Sequence, residues 1–77
     1  MNRADGKIRI LAVEHFITGK ARTLREIKEH LQEEWNITNI DRKTLYQDLY
    51  AIEITNAKFQ RFGNTGTSIK YGIMEEA

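Results

Sequence analysis

The side chains best suited to recognising another molecule stand close together in one stretch: Arg42, Lys43, Tyr46, Gln47 and Tyr50. A helix through that stretch places all five on one face, roughly opposite Leu45, Asp48 and Ile52. The face carries two cations, two phenols and one amide, without a carboxylate among them. Guanidinium pairs with guanine O6 and N7, a side-chain amide with adenine N6 and N7, and ammonium and hydroxyl groups with phosphate oxygens. That is the chemistry of a helix offered to a DNA major groove. Its plainer counterpart is two amphipathic tyrosines over a core rim, flanked by two solvated cations. Thr44 in the same run, Arg61 and Lys70 beyond it, and Arg22 and Thr23 ahead of it complete the set of candidate DNA-contacting residues.

Catalytic chemistry finds little material. Among 77 residues there is one serine, Ser68, no cysteine, and two histidines, His15 and His30, neither within a motif. The histidines are fifteen positions apart in separate helical patterns, with no acid-rich cluster beside them to complete a metal site. No enzyme activity, metal or cofactor is expected, and Glu33-Glu34 and Glu75-Glu76 read as solvated charge. A chain of this length forms one small domain and buries only roughly 60% of its unfolded surface, which argues against a deep substrate cavity. With 40% hydrophobic and 30% charged residues it has the composition of a chain that folds. The longest fully apolar run, Ile10 to Val13, is far short of a membrane span, and no secretory leader is evident. The absence of cysteine fits a reducing, cytoplasmic setting.

The elements that must position the candidate face can be read in order. A first helix is expected over about 5–18, where KIRILAVEHFIT is followed by Gly19 as a stop signal. Ile8, Ala12 and Phe16 lie on one side of it and Ile10, Val13 and Ile17 on another, so it is either central or at an interface. Thr23-Leu24-Arg25-Glu26 has the form of a capping box that opens a second helix over about 24–35. Leu24, Ile27, Leu31 and Trp35 then form its narrow apolar stripe. Asn36-Ile37-Thr38-Asn39-Ile40 makes a turn, and Asp41 caps a third helix over about 42–53, with Leu45, Leu49 and Ile52 inward.

The last stretch, about 57–73, reads as a β-hairpin. Ile69, Tyr71 and Ile73 alternate with polar or small residues, and Gly63-Asn64-Thr65-Gly66 supplies the turn. Lys58, Arg61 and Lys70 give this segment a charge of +3, whereas the whole chain carries +1, leaving −2 for the remainder. Met74 to Ala77 reads as a loose tail. The order helix, helix, turn, helix, basic hairpin implies an α+β winged helix-turn-helix over residues 1–77: a three-helix bundle followed by a wing.

At the third helix the chain resembles the amino-terminal winged helix-turn-helix domains of bacterial WYL-type and related DeoR-like transcriptional regulators. The resemblance rests on Asp41-Arg42-Lys43-Thr44-Leu45-Tyr46-Gln47-Asp48-Leu49-Tyr50-Ala51-Ile52-Glu53, similar to the family's recognition helix, and on Thr23-Leu24-Arg25-Glu26-Ile27 at the second-helix start. It implies that Arg42, Lys43, Thr44, Tyr46 and Gln47 face DNA while Asp48 holds the helix against its neighbours. Where the family often has Ser and Arg, this chain has Asp41 and Gln47, and both changes make the helix less basic. Double-stranded DNA is thus the expected partner. A homodimer fits paired half-sites, no membrane is involved, and an effector ligand is expected only if a further domain exists outside this chain. The competing reading is a winged helix used for protein contact or oligomerisation through the first helix.

Overall fold

The computed structural model describes residues 3–63 and 69–74. Three helices and three strands follow in the order α1 (Arg3–Ile17), β1 (Arg22–Thr23), α2 (Leu24–Glu34), α3 (Arg42–Thr55), β2 (Phe59–Phe62) and β3 (Lys70–Ile73). The result is an α+β fold in which α1 packs against α2, α3 and β3. The strands form one antiparallel sheet in the order β1-β3-β2.

Local chemistry accounts for the element boundaries. Gly19 ends α1 with φ +85°, a left-handed conformation that glycine adopts without steric cost, and its N–H donates to the Ile73 carbonyl at 2.9 Å. At the start of α2 the capping box is formed: the Thr23 hydroxyl accepts from the Glu26 amide at 3.1 Å, and the Glu26 carboxylate accepts from the Thr23 amide at 2.9 Å. Asp41 caps α3 by accepting from the Thr44 amide at 2.8 Å. Between α2 and α3 the chain reverses through Asn36 and Asn39, at φ +54° and +60°. Asparagine tolerates this left-handed region better than other residues bearing a Cβ.

The core draws on every layer. Val13 and Ile17 from α1, Ile27 and Leu31 from α2, Leu45, Leu49 and Ile52 from α3, and Tyr71 and Ile73 from β3 are all buried, with Ile40 closing the α2–α3 turn. Of the alternation expected over Ile69, Tyr71 and Ile73 the inward positions are present, Ile69 half-buried and the other two buried, but Gly72 between them is buried as well, because Ala21 packs over it. Inside this apolar set lies one ion pair: the Arg9 guanidinium makes two hydrogen bonds to the carboxylate of buried Asp48, one of them 3.0 Å long. The implied role of Asp48, holding α3 against its neighbours, matches this contact with α1.

Several expectations are corrected. The hairpin is joined by a third strand, β1, whose two residues pair as Arg22 with Tyr71 and Thr23 with Lys70. So short a strand leaves no alternating pattern in the sequence. Trp35 does not complete the buried stripe of α2: it is the C-cap residue and is 46% exposed, because the helix ends just before it. α1 runs Arg3–Ile17 and α3 runs Arg42–Thr55, two residues beyond its expected end, which leaves Ile54 exposed. The broad apolar surface of α1 divides, with Val13 and Ile17 in the core and Ile8 and Leu11 exposed. The turn at 64–66 and the tail at 75–77 lie outside the described residues, as does Ser68. No helix among the described residues is long and apolar enough to cross a membrane.

Candidate nucleic-acid interface

Arg42, Lys43, Tyr46, Gln47 and Tyr50 are all exposed and together line one open depression on the outer side of α3. The helix period brings them together, because burial of Leu45, Leu49 and Ile52 turns the other side outward. No carboxylate lines this depression. Asp41, at the amino end of the same helix, is held below its ordinary carboxyl range chiefly by the Thr44 amide, so it is an anion spent on the helix terminus.

Tyr46 is more than a surface phenol. It is 44% exposed, and its phenol stands near enough to the buried Tyr71 phenol on β3 to influence it. Burial above all, and then Tyr46, pushes the Tyr71 phenol above its ordinary value. The outer face of α3 and the central strand thus meet where these two phenols line one hollow.

The remaining candidates separate by what their side chains already hold. Thr44 is half-buried on α3, outside the depression. Arg61 makes a two-pronged pair with Glu53 of α3, at 2.9 and 2.7 Å, and its guanidinium lies 5.6 Å from the Phe59 ring centre. The pair depresses the Glu53 carboxyl and raises the Arg61 guanidinium. The +3 counted over the hairpin is thus offset locally by a carboxylate from outside it. Lys70 is exposed and lies in cross-strand register with Phe62 and Thr23, with the Glu26 carboxylate close enough to feel its charge.

Arg22 and Thr23 are committed inward. The Thr23 hydroxyl is the α2 cap. The Arg22 guanidinium sits 4.3 Å from the Phe16 ring centre, and His30 stacks on Phe16 at 3.9 Å with planes 4° apart. Two planar groups so near one centroid cannot share a face, so the three side chains form a sandwich between α1, β1 and α2. The Arg22 Nε is buried without a hydrogen-bond partner among the described residues, consistent with cation–π packing replacing solvation.

A second hollow adjoins the first. Leu24, Leu45, Ile69 and Tyr71 form its apolar floor, and Arg25, Lys28 and Arg42 stand exposed around it. Arg42 and Tyr46 line both hollows, so cations from α2 and α3 form one continuous surface. Arg25 and Lys28 were not singled out from the sequence, although their i, i+3 spacing on α2, away from Ile27 and Leu31, is the signal that places them together. Among the described residues no three His, Asp or Glu side chains converge as metal ligands would.

Compared with protein-family models, with curated proteins and with solved structures, the chain gave no significant match in any of the three.

Proposed function

We propose that the protein is a winged helix-turn-helix module that binds double-stranded DNA, with α3 in the major groove and the β2–β3 hairpin along the sugar-phosphate backbone. One observation carries the reading: five side chains able to contact bases and phosphates share the exposed face of α3 with no carboxylate among them. The continuous cations of α2 and α3 add to it, since a stripe of positive charge beside a reading helix is the electrostatic footprint of backbone contact. Arg42 and Gln47 would read base edges, and Lys43 and Lys70 would meet phosphates. Tyr46 and Tyr50 would supply hydroxyl and ring contacts at the groove wall. Such a module would act in transcription regulation, in a cytoplasmic setting.

The test is fluorescence anisotropy of a labelled random-sequence duplex at two salt concentrations, with Arg42→Ala and Gln47→Ala beside the parent and folding checked by circular dichroism. Binding at about 10⁻⁴ to 10⁻⁶ M that weakens with salt is expected. On a selected preferred sequence each variant should lose about 1–3 kcal/mol and relax the preference. Absence of binding at low salt, or full affinity in both variants, overturns the reading.

A protein-contact role has its own observation. Leu11 and Ile8 on α1 are 63% and 42% exposed, more apolar surface than a solvated helix needs. Loss of a complex on Leu11→Ser, with Arg42→Ala silent, would favour that alternative.

A further inference from the structure

The hollow between the start of α2, the first half of α3 and β3 has a composition that groove docking does not require. It encloses about 590 Å³, within the range of small-molecule sites. Its floor is apolar: Leu45 and Tyr71 are buried and Leu24 and Ile69 half-buried. The cations Arg25, Lys28 and Arg42 rise from three sequence positions on two helices and remain exposed at the rim. A duplex phosphate would satisfy the rim and leave the recessed floor empty, because phosphate has no apolar part to place there. An amphipathic anion satisfies both.

The anionic groups nearby are engaged elsewhere. Glu26 accepts from the Thr23 amide, and no carboxylate lines the hollow. Glu29 reaches Arg25 at 3.5 Å, a long and exposed contact that leaves the guanidinium open to a better partner. The half-exposed phenol ring of Tyr46 gives the hollow one aromatic wall, against which a flat ligand stacks, while Tyr71 lies buried in the floor.

We infer that this hollow is a binding site for a small planar organic anion, an aromatic carboxylate in chemical class. The ring lies over Leu24, Leu45, Ile69 and Tyr71, and the carboxylate meets Arg25, Lys28 and Arg42. Since Arg42 and Tyr46 also line the outer face of α3, an occupant would draw both away from that face. Where the DNA reading of that face holds, the ligand is an antagonist of DNA binding; the site itself does not depend on that reading.

The experiment titrates the free, nitrogen-15-labelled protein with 2-naphthoate and follows amide shifts, with neutral 2-naphthylmethanol as control. Expected are saturable shifts centred on Leu24, Arg25, Lys28, Leu45 and Ile69, with a dissociation constant at or below about 1 mM, the scale set by the ligand's size. The neutral analogue and the Arg25→Ala/Lys28→Ala variant should each bind about tenfold more weakly. The two substituted side chains are exposed, so the fold is retained. Shifts centred elsewhere, or none that saturate, overturn the site. Equal binding of the neutral analogue overturns the anionic class, and unchanged affinity in the double variant overturns the rim. DNA takes no part in this titration. A protein that fails to bind duplex yet shows these shifts refutes the DNA reading alone, and the converse result refutes the ligand site alone.

Discussion

Asp48 is the buried charged side chain of the core, 4% exposed in its side chain, and Arg9 lies against it at 18%. Charges so far from water are tolerated because each holds the other through two hydrogen bonds. Hydrogen bonding to Asp48 raises the Arg9 guanidinium above its ordinary value, in keeping with a cation fixed in place. Asp48 directly follows Gln47, so the tie to α1 fixes the rotation of α3 and with it which residues face outward. Removing one partner strands the other. Asp48→Ala should cost about 3–5 kcal/mol, whereas Arg9→Met/Asp48→Val, which removes both charges and nearly keeps the summed volume, should cost far less. Urea denaturation midpoints decide this, and a double variant as unstable as the single one would show that packing, not charge pairing, holds the junction.

At the scale of elements, what the sequence revealed was local and what it hid was distant. The caps at Thr23 and Asp41 and the stop at Gly19 were legible because each is set by residues within one turn of the chain. The outer face of α3 was legible for the same reason, since a helix period alone brings Arg42, Tyr46 and Tyr50 together. Arg9 as the partner of Asp48 lies 39 positions away, and nothing local pointed to it. The pairing of Arg61 with Glu53 was hidden differently, because a charge count over the hairpin omits the helix packed beside it. β1 was the least legible element, being two residues that form a strand only through their pairing with β3.

That strand also determines what Gly72 must be. A Cβ at Gly72 would come within 3.0 Å of the Ala21 Cα and 3.2 Å of the Met74 Sδ. The methionine can move, but the Ala21 backbone is pinned on both sides, by the Gly19 amide on the Ile73 carbonyl and by the pairing of Arg22 with Tyr71. Gly72→Ala should therefore destabilise the fold by about 1–3 kcal/mol, the usual cost of overfilling a packed site. Thermal unfolding followed by circular dichroism measures it. An unchanged midpoint would mean that the connector between α1 and β1 yields more readily than its hydrogen bonds imply.

Taken whole, the molecule is a small core closed by charged and phenolic junctions at its edge, and pH should loosen those junctions from opposite ends. Glu26, Glu53 and Asp41 are all held below their ordinary values, chiefly by the Thr23 amide, the Arg61 guanidinium and the Thr44 amide respectively. A carboxyl that ionises more readily when folded adds stability above its unfolded pKa and loses it as pH falls through the folded one. With reference values of 4.5, 4.5 and 3.8, stability should begin to fall near about pH 4.5 and go on falling below it. All three groups are near the surface, so each contribution is small and screened by salt. Tyr71 acts in the other direction. Its phenol is raised by burial and by Tyr46, so its contribution is complete below its ordinary value of 10.0 and lost as pH rises through the folded value. Denaturation midpoints measured across pH should thus form a plateau between about pH 5 and about pH 9 with a decline on either side. Glu53→Gln should shrink the acid decline alone, because it removes that carboxyl and leaves Arg61 in place opposite Tyr71 on the sheet. Tyr71→Phe should shrink the alkaline decline alone, because it removes the buried phenol whose ionisation burial opposes. If either variant altered both limbs, the coupling would run through Arg61, which stands opposite Tyr71 on the sheet, and a ligand over Tyr71 would then be felt at the Glu53–Arg61 junction as well.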